Sequence, residues 1–307
     1  MQLTAWTFLI VCPLVFLAGF VDAVAGGGGV ISIPAYLLAG VPMKLAAGTN
    51  KFANGFGTAL ASWRYARSGN INWLCAIPAA VGSLAGSSVG TSLAVYLPED
   101  LLQMIVVGTL PVVAVILVLS RNFGVEEKPD KGKKATLLIS MGIGLLVGLY
   151  DGLVGPGTGT FLAIGFSLGL GYTLVKSSGC AKIANLASNV ASMVIYFMDG
   201  DILFSVGIPA MACSMLVNFI GARFAIRGGG GKIRIVMFLV LGLLFVRTPN
   251  GRETENDGRA GAQALGNPSV RAISLSMLCF CTACFGFVTW ISQCWVEHVG
   301  IGLAEAN

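Results

Sequence analysis

A lysine followed three residues later by an asparagine occurs twice in apolar surroundings, as Lys51 and Asn54 in KFAN and as Lys182 and Asn185 in KIAN. That spacing puts each pair on one face of a helix. A lysine at the centre of a membrane helix costs roughly 2.5–3.5 kcal/mol, so each must have a partner or an escape. Three readings are open: binding of an anion, an ion pair with a carboxylate, or snorkelling of the long side chain to the interface. Two ammonium groups brought close together repel unless an anion or a carboxylate joins them.

Two glycine-rich breaks offer a second chemistry, AGGGGVIS at 25–32 and GPGTGTFLA at 155–163. Neither is a comfortable helix interior, because glycine costs about 1 kcal/mol and proline about 3 relative to alanine. Each precedes an apolar piece of helical length, so a helix opens there with unpaired N–H groups and a positive dipole end. Such an end binds anions. The candidate donors are Gly27, Gly28, Gly29, Gly157 and Thr158, with Ser32 and Thr160 as further hydroxyls. Close helix packing through glycine is the plainer alternative. Asp22 and Asp151 stand just before the breaks. In a membrane each needs a partner or a proton, so each either pairs with Lys51 or Lys182 or titrates in a coupled cycle.

The elements that must position these groups are membrane helices. The chain has 307 residues, 55% hydrophobic and 11% charged, against about 25% charged in a soluble domain. Its apolar runs suit helices crossing ~30 Å of hydrocarbon and lack the alternation of a membrane barrel. An all-α polytopic fold is expected, with about eight spans near 4–24, 45–66, 72–96, 101–120, 135–152, 176–197, 202–223 and 232–247. Short pieces at 29–41 and 158–170 read as half-helices or re-entrant segments. The N-terminus lacks the basic region of a cleaved signal and reads as the first span.

The two motifs belong to a duplication. GFVDAVAGGGG (19–29) aligns with GLYDGLVGPGT (148–158), matching Asp22 to Asp151. KFAN then aligns with KIAN, Tyr65 with Tyr196, Pro78 with Pro209 and Gly90 with Gly221, at a constant offset of 131 residues. The expected organisation is a first repeat at 1–121, a basic linker at 122–134, a second repeat at 135–247 and an atypical tail at 248–307. Counting each break with its half-helix as one crossing gives four crossings per repeat, hence parallel repeats; were each half-helix to complete a crossing, the count would be odd and the repeats inverted. The basic linker and Arg64 and Arg67 then lie inside, but Arg223, Arg227 and Lys232 fall outside, against the positive-inside rule. In the tail, the apolar stretch 272–296 is a candidate ninth span that would move the C-terminus to the other face.

Other chemistries find little support. AGGGGV lacks the preceding strand and following Lys-Ser/Thr of a phosphate-binding loop, and no ATP-binding motif is present. One histidine, His298, excludes a multi-histidine zinc site, and CFCTAC with Cys294 fits no standard zinc spacing. The eight cysteines read as buried small hydrophobes, and no cofactor or metal is expected. The net charge of +5 sits mostly in loops, where it sets topology and does not argue for nucleic acid.

GFVDAVAGGGGVISIPAYLLAG, GTNKFANGFGT, GLYDGLVGPGTGTF and AKIANLASN together resemble the sulfite exporter TauE/SafE family, also called the four-toluene-sulfonate uptake permease group. The resemblance covers about residues 5–246, and the tail departs from it. It implies a multi-pass permease of the bacterial inner membrane for anionic sulfur compounds such as sulfite or sulfonates, in either direction. The expected partners are a small anionic substrate and the lipid bilayer; the oligomeric state is open. Two other classes compete, both through Asp22 and Asp151. One is an intramembrane aspartyl enzyme with a proton-sharing pair, although MDGD at 198–201 lacks the first glycine of that signature. The other is a cation carrier, which the paired lysines oppose.

Overall fold

In the computed structural model, residues 5–102, 104–105 and 132–246 are described, and every regular element among them is an α-helix. Eight helices carry the site: α1 (Ala5–Ala25), α2 (Gly29–Leu38), α3 (Met43–Arg67), α4 (Trp73–Tyr96), α5 (Lys133–Leu153), α6 (Thr158–Leu170), α7 (Leu174–Asp199) and α8 (Phe204–Val246). They fall within one compact unit, Met1–Arg247. Most of the span expected at 101–120, the linker, and the candidate ninth span at 272–296 lie outside the described residues.

Within α1, α4, α5, α7 and α8, five stretches are long and apolar enough to cross a membrane. Their outward faces carry Ile77, Val81, Leu84, Leu138, Leu146 and Phe197, all exposed, as lipid-facing side chains must be. The 25-residue α3 does not join them, because it carries Thr49, Asn50, Lys51, Asn54, Thr58 and Ser62, all turned inward. The spans expected at 202–223 and 232–247 form one helical run broken at Gly229, whose φ of 66° and ψ of −173° are not helical.

The short helices turn back instead of finishing a crossing. Gly165 packs on Ile143, Gly169 on Ile139, and the Tyr150 and Phe161 rings meet at 5.2 Å, so α6 runs antiparallel to α5. In the first half, Tyr36 and Val41 return to Val11 and Val15 in one buried cluster, so α2 folds back along α1. Glycines make both turns: Gly26 sits at φ 82° and Gly157, just ahead of α6, at φ 84°, a region costly for other residues.

This overturns the expectation that each break and its half-helix make one crossing, and with it the parallel arrangement. Gly48 lies against Tyr196 and Asp201, Gly55 against Asn189, and Ser62 donates to the Lys182 carbonyl, so α3 and α7 run antiparallel. The flanking pairs run parallel. Two three-glycine ladders lock α4 to α5: a Cβ added at Gly82, Gly86 or Gly90 would strike the carbonyls of Met141, Leu145 or Leu149. One added at Gly144, Gly148 or Gly152 would strike those of Ala79, Ser83 or Ser87. Glycine every fourth residue gives membrane helices this close approach. Gly19 and Ala23 of α1 meet Val217 and Gly221 of α8 in the same parallel sense.

Charge separates between the two ends of the bundle. Arg64, Arg67, Arg223 and Arg227 line one cavity, so Arg223 and Arg227 share a face with Arg64, contrary to expectation. Lys176 lies 4.6 Å over the Tyr172 ring on that same side, where the Tyr172 hydroxyl accepts from Asn72 at the start of α4. The opposite end carries Glu99, Asp100, Asp199 and Asp201, with Lys44 donating to the Val95 carbonyl there at 2.5 Å.

Candidate substrate and coupling site

Where α3 crosses α7, each lysine reaches an aspartate of the other half. Lys51 Nζ lies 2.6 Å from Asp151 Oδ2, and Lys182 Nζ lies 2.8 Å from Asp22 Oδ2. All four are buried, with exposures of 6% for Lys51 and Asp22 and 2% for Lys182 and Asp151. Snorkelling is thereby excluded for both lysines.

Further hydrogen bonds fix the carboxylates. Thr158 Oγ1 donates to Asp151 Oδ1 at 2.6 Å, and Ser188 Oγ donates to Asp151 Oδ2 at 2.5 Å. Thr58 Oγ1 donates to Asp22 Oδ2 at 3.5 Å, while Lys182 Nζ also donates to the Asp22 backbone carbonyl. Among the described residues no bond joins the two carboxylates; each is bonded to a lysine. A proton-sharing aspartyl dyad requires adjacent carboxyls, so this arrangement lacks its geometry.

The two glycine breaks touch. A Cβ at Gly26 would collide with the Gly159 backbone and the reverse also holds, while Gly29 packs on Pro156. Thr160 Oγ1 donates to the Ala25 carbonyl at 2.7 Å, tying the start of α6 to the end of α1. The N-termini of α2 and α6 thus meet beside the ion pairs, two positive dipole ends at one place.

Between them lies a cavity of about 20 Å³, lined in part by Lys51, Asn54, Asn185, Gly29, Thr158 and both aspartates. That volume holds about one water molecule. Of the expected site residues, Lys182, Gly27, Gly28 and Gly157 do not line it. Ser32 is not an available donor, because its hydroxyl is spent on the Gly28 carbonyl one turn back.

Sequence reasoning passed over Asn50, Thr58 and Asn189, which line the cavity, and Ser188, which holds Asp151. Asn50, Asn54, Thr58 and Ser62 recur every four residues along α3, and Asn185, Asn189 and Ser192 nearly so along α7. A polar stripe at helical period inside an apolar bundle was the available signal. Asn54 Nδ2 donates to Asn50 Oδ1 at 2.8 Å, so these amides partly satisfy one another.

The sulfite exporter TauE/SafE family model matches residues 11–248. The probable membrane transporter protein ORF9 of Sinorhizobium sp is 35% identical over 232 residues, covering 76% of this chain and 88% of its own. A probable membrane transporter protein of Haemophilus influenzae is 32% identical over 229 residues, covering 73% and 88%. The probable membrane transporter protein YfcA of Escherichia coli K12 is 28% identical over 224 residues, covering 73% and 82%. No solved structure matches the chain significantly. A match spanning three quarters of the sequence, with five helices among the described residues able to cross a membrane, settles the assignment. The chain belongs to the sulfite exporter TauE/SafE family, and is a multi-pass membrane transporter.

Proposed function

We propose that this transporter carries a small oxyanion, a sulfite or sulfonate group being the chemistry that suits it, together with a proton. The observation that carries the reading is the crossed pairing of Lys51 with Asp151 and Lys182 with Asp22 beside the two helix N-termini. The charges of the two lysines and two aspartates cancel. An anion entering this low-dielectric place leaves an excess negative charge, which is expensive there. Protonating one aspartate removes that excess and frees its lysine for the anion. The anion then takes the carboxylate's place on Lys51, with Asn54, Asn185 and Thr158 at hand as donors.

In this reading the anion oxygens take over the positions of the Asp151 carboxylate oxygens, which contact the Lys51 ammonium and the hydroxyl of Thr158 at the opening turn of α6. A trigonal or tetrahedral oxyanion presents acceptors in several directions and can use both. The cavity of about 20 Å³ is too small for such an anion. Loading requires the halves to separate.

The antiparallel course of α3 and α7 supports a pair of inverted repeats whose pseudo-two-fold axis passes between the two ion pairs. Alternating access then follows from two equivalent rearrangements of the halves about one fixed site. The concentration of Arg64, Arg67, Lys176, Arg223 and Arg227 at one end supports a cytoplasmic arginine face.

Proteoliposomes loaded with a pH-sensitive dye test the whole reading. Sulfite or a simple sulfonate added outside should move with protons in wild type, and Lys51→Ala should abolish both signals. Anion flux unaltered in Lys51→Ala would reduce Lys51 to a structural partner of Asp151 and overturn the proposal.

A further inference from the structure

We propose that the cavity between the ends of α3 and α8 is a binding site for the phosphate headgroup of an anionic phospholipid. It measures about 300 Å³ and is lined by Arg64, Arg67, Arg223 and Arg227 with Trp63 and Phe219. Among the described residues none of these arginines forms an ion pair; both described ion pairs lie at the central site. Four guanidiniums lining one space repel each other, and an anion bound between them relieves that.

The aromatic rings orient the guanidiniums without using up their donors. The Arg64 guanidinium carbon lies 4.0 Å over the Phe219 ring centre and that of Arg67 4.9 Å over Trp63. A guanidinium stacked on a ring keeps its N–H groups in its own plane, free for bidentate contact with phosphate oxygens. The sequence supplies this by placing Arg64 and Arg67 in the last turn of α3 and Arg223 and Arg227 one turn apart on α8.

The surroundings favour a lipid over a dissolved ion. Trp63 is 48% exposed and Phe219 37% exposed, and both line the cavity at the arginine-rich end. Tryptophan beside arginine is the usual furniture of a membrane interface. A free ion gains nothing from the two rings, whereas the glycerol and upper acyl chain of a lipid would cover them. Basic pockets between transmembrane helices on the cytoplasmic side take anionic headgroups in this way. The site is separate from the Lys51 and Lys182 centre, and its occupancy does not depend on which anion is transported.

Native mass spectrometry of the full chain in neutral detergent tests this with phosphatidylglycerol, phosphatidylcholine and inorganic phosphate as probes. Wild type should retain phosphatidylglycerol at about tenfold lower concentration than phosphatidylcholine, and millimolar phosphate should not displace it. Arg64→Gln with Arg223→Gln should bring the two lipids to near-equal retention. Equal retention in wild type, or an undiminished preference in the variant, overturns the proposal. Displacement of the lipid by phosphate overturns it too and reassigns the cavity to a soluble oxyanion. Should the double variant fail to fold, the lipid comparison and phosphate competition on wild type still decide, with Arg227→Gln, an exposed residue, as the second variant.

Discussion

Lys51 on α3 lies 2.6 Å from Asp151 at the end of α5, an ion pair that joins the two halves of the sequence. The mirror arrangement joins Lys182 on α7 to Asp22 on α1 at 2.8 Å. Two ion pairs that both bridge the halves make the charge cluster a latch. Anything that neutralises one carboxylate loosens the contact between halves at the place where an anion would bind. In the proposed cycle, substrate entry and conformational change then share one cause.

The latch is separable from the proposed binding role by neutralising one or both partners. Lys51→Ala alone leaves Asp151 charged and buried, which costs about 3–5 kcal/mol, so the variant should melt well below wild type. Lys51→Ala with Asp151→Ala removes both charges and should recover most of that stability. Transport should stay absent in both. A thermal-shift assay beside a flux assay checks this; recovered flux in the double variant would remove Lys51 from substrate binding.

Asp151→Asn mimics the protonated carboxylate. The variant should still bind and exchange anion, because Lys51 is freed, but its flux should lose dependence on an imposed pH gradient. Anion counterflow measured with and without a pH difference reads this directly. A variant that remains fully gradient-driven would place the coupling proton elsewhere.

The ladder of Gly82, Gly86 and Gly90 against Gly144, Gly148 and Gly152 predicts a purely structural defect. Gly86→Val or Gly148→Val inserts methyl groups against a carbonyl oxygen. Overpacking of this kind costs about 1–3 kcal/mol, and here it also pushes α4 from α5. Lower melting temperatures are expected, with intact substrate selectivity in whatever fraction folds.

At the acidic end, burial first and the neighbouring Asp199 second raise the Asp201 carboxyl above its ordinary range, with Lys44 opposing. An acid whose folded-state pKa is raised holds its proton more tightly when folded. Its contribution is therefore most favourable below the unfolded value and is lost as pH rises through the raised folded value. Asp201 Oδ2 is also buried without a hydrogen-bond partner among the described residues. Asp201→Asn should gain stability over wild type as pH climbs past the carboxylate range, and the two should converge in acid. Melting temperatures across that range check the sign.

Much of the site was legible because charge is rare in such a chain. Lys51, Lys182, Asp22 and Asp151 stood out by their cost in a membrane, and the offset between motifs marked them as equivalent. Which lysine meets which aspartate was not legible, since motif spacing carries no information about which helix crosses which. The direction of the half-helices was hidden for a related reason. Ten to thirteen apolar residues in α2 and α6 fit a continued crossing and a turn back equally well. The contacts that decide, Gly165 on Ile143 and Tyr36 on Val11, are tertiary. The α4–α5 ladder was written in the sequence as glycine at every fourth residue, yet its partner is set only by packing.

The direction of α3 and α8 gives a test that needs no substrate. Their ends bring Arg67 and Arg227 to one face and the turn after α7 to the other. With every native cysteine replaced, single cysteines at Arg67, Arg227 and Asp199 can be labelled in intact cells by an impermeant maleimide. Arg67→Cys and Arg227→Cys should behave alike and stay protected until the membrane is opened, as the proposed cytoplasmic placement of the arginine-rich face requires. Asp199→Cys should label at once. Opposite labelling of Arg67→Cys and Arg227→Cys would restore the parallel arrangement that sequence counting suggests. Reversed but concordant labelling would keep the antiparallel bundle and turn it over in the membrane.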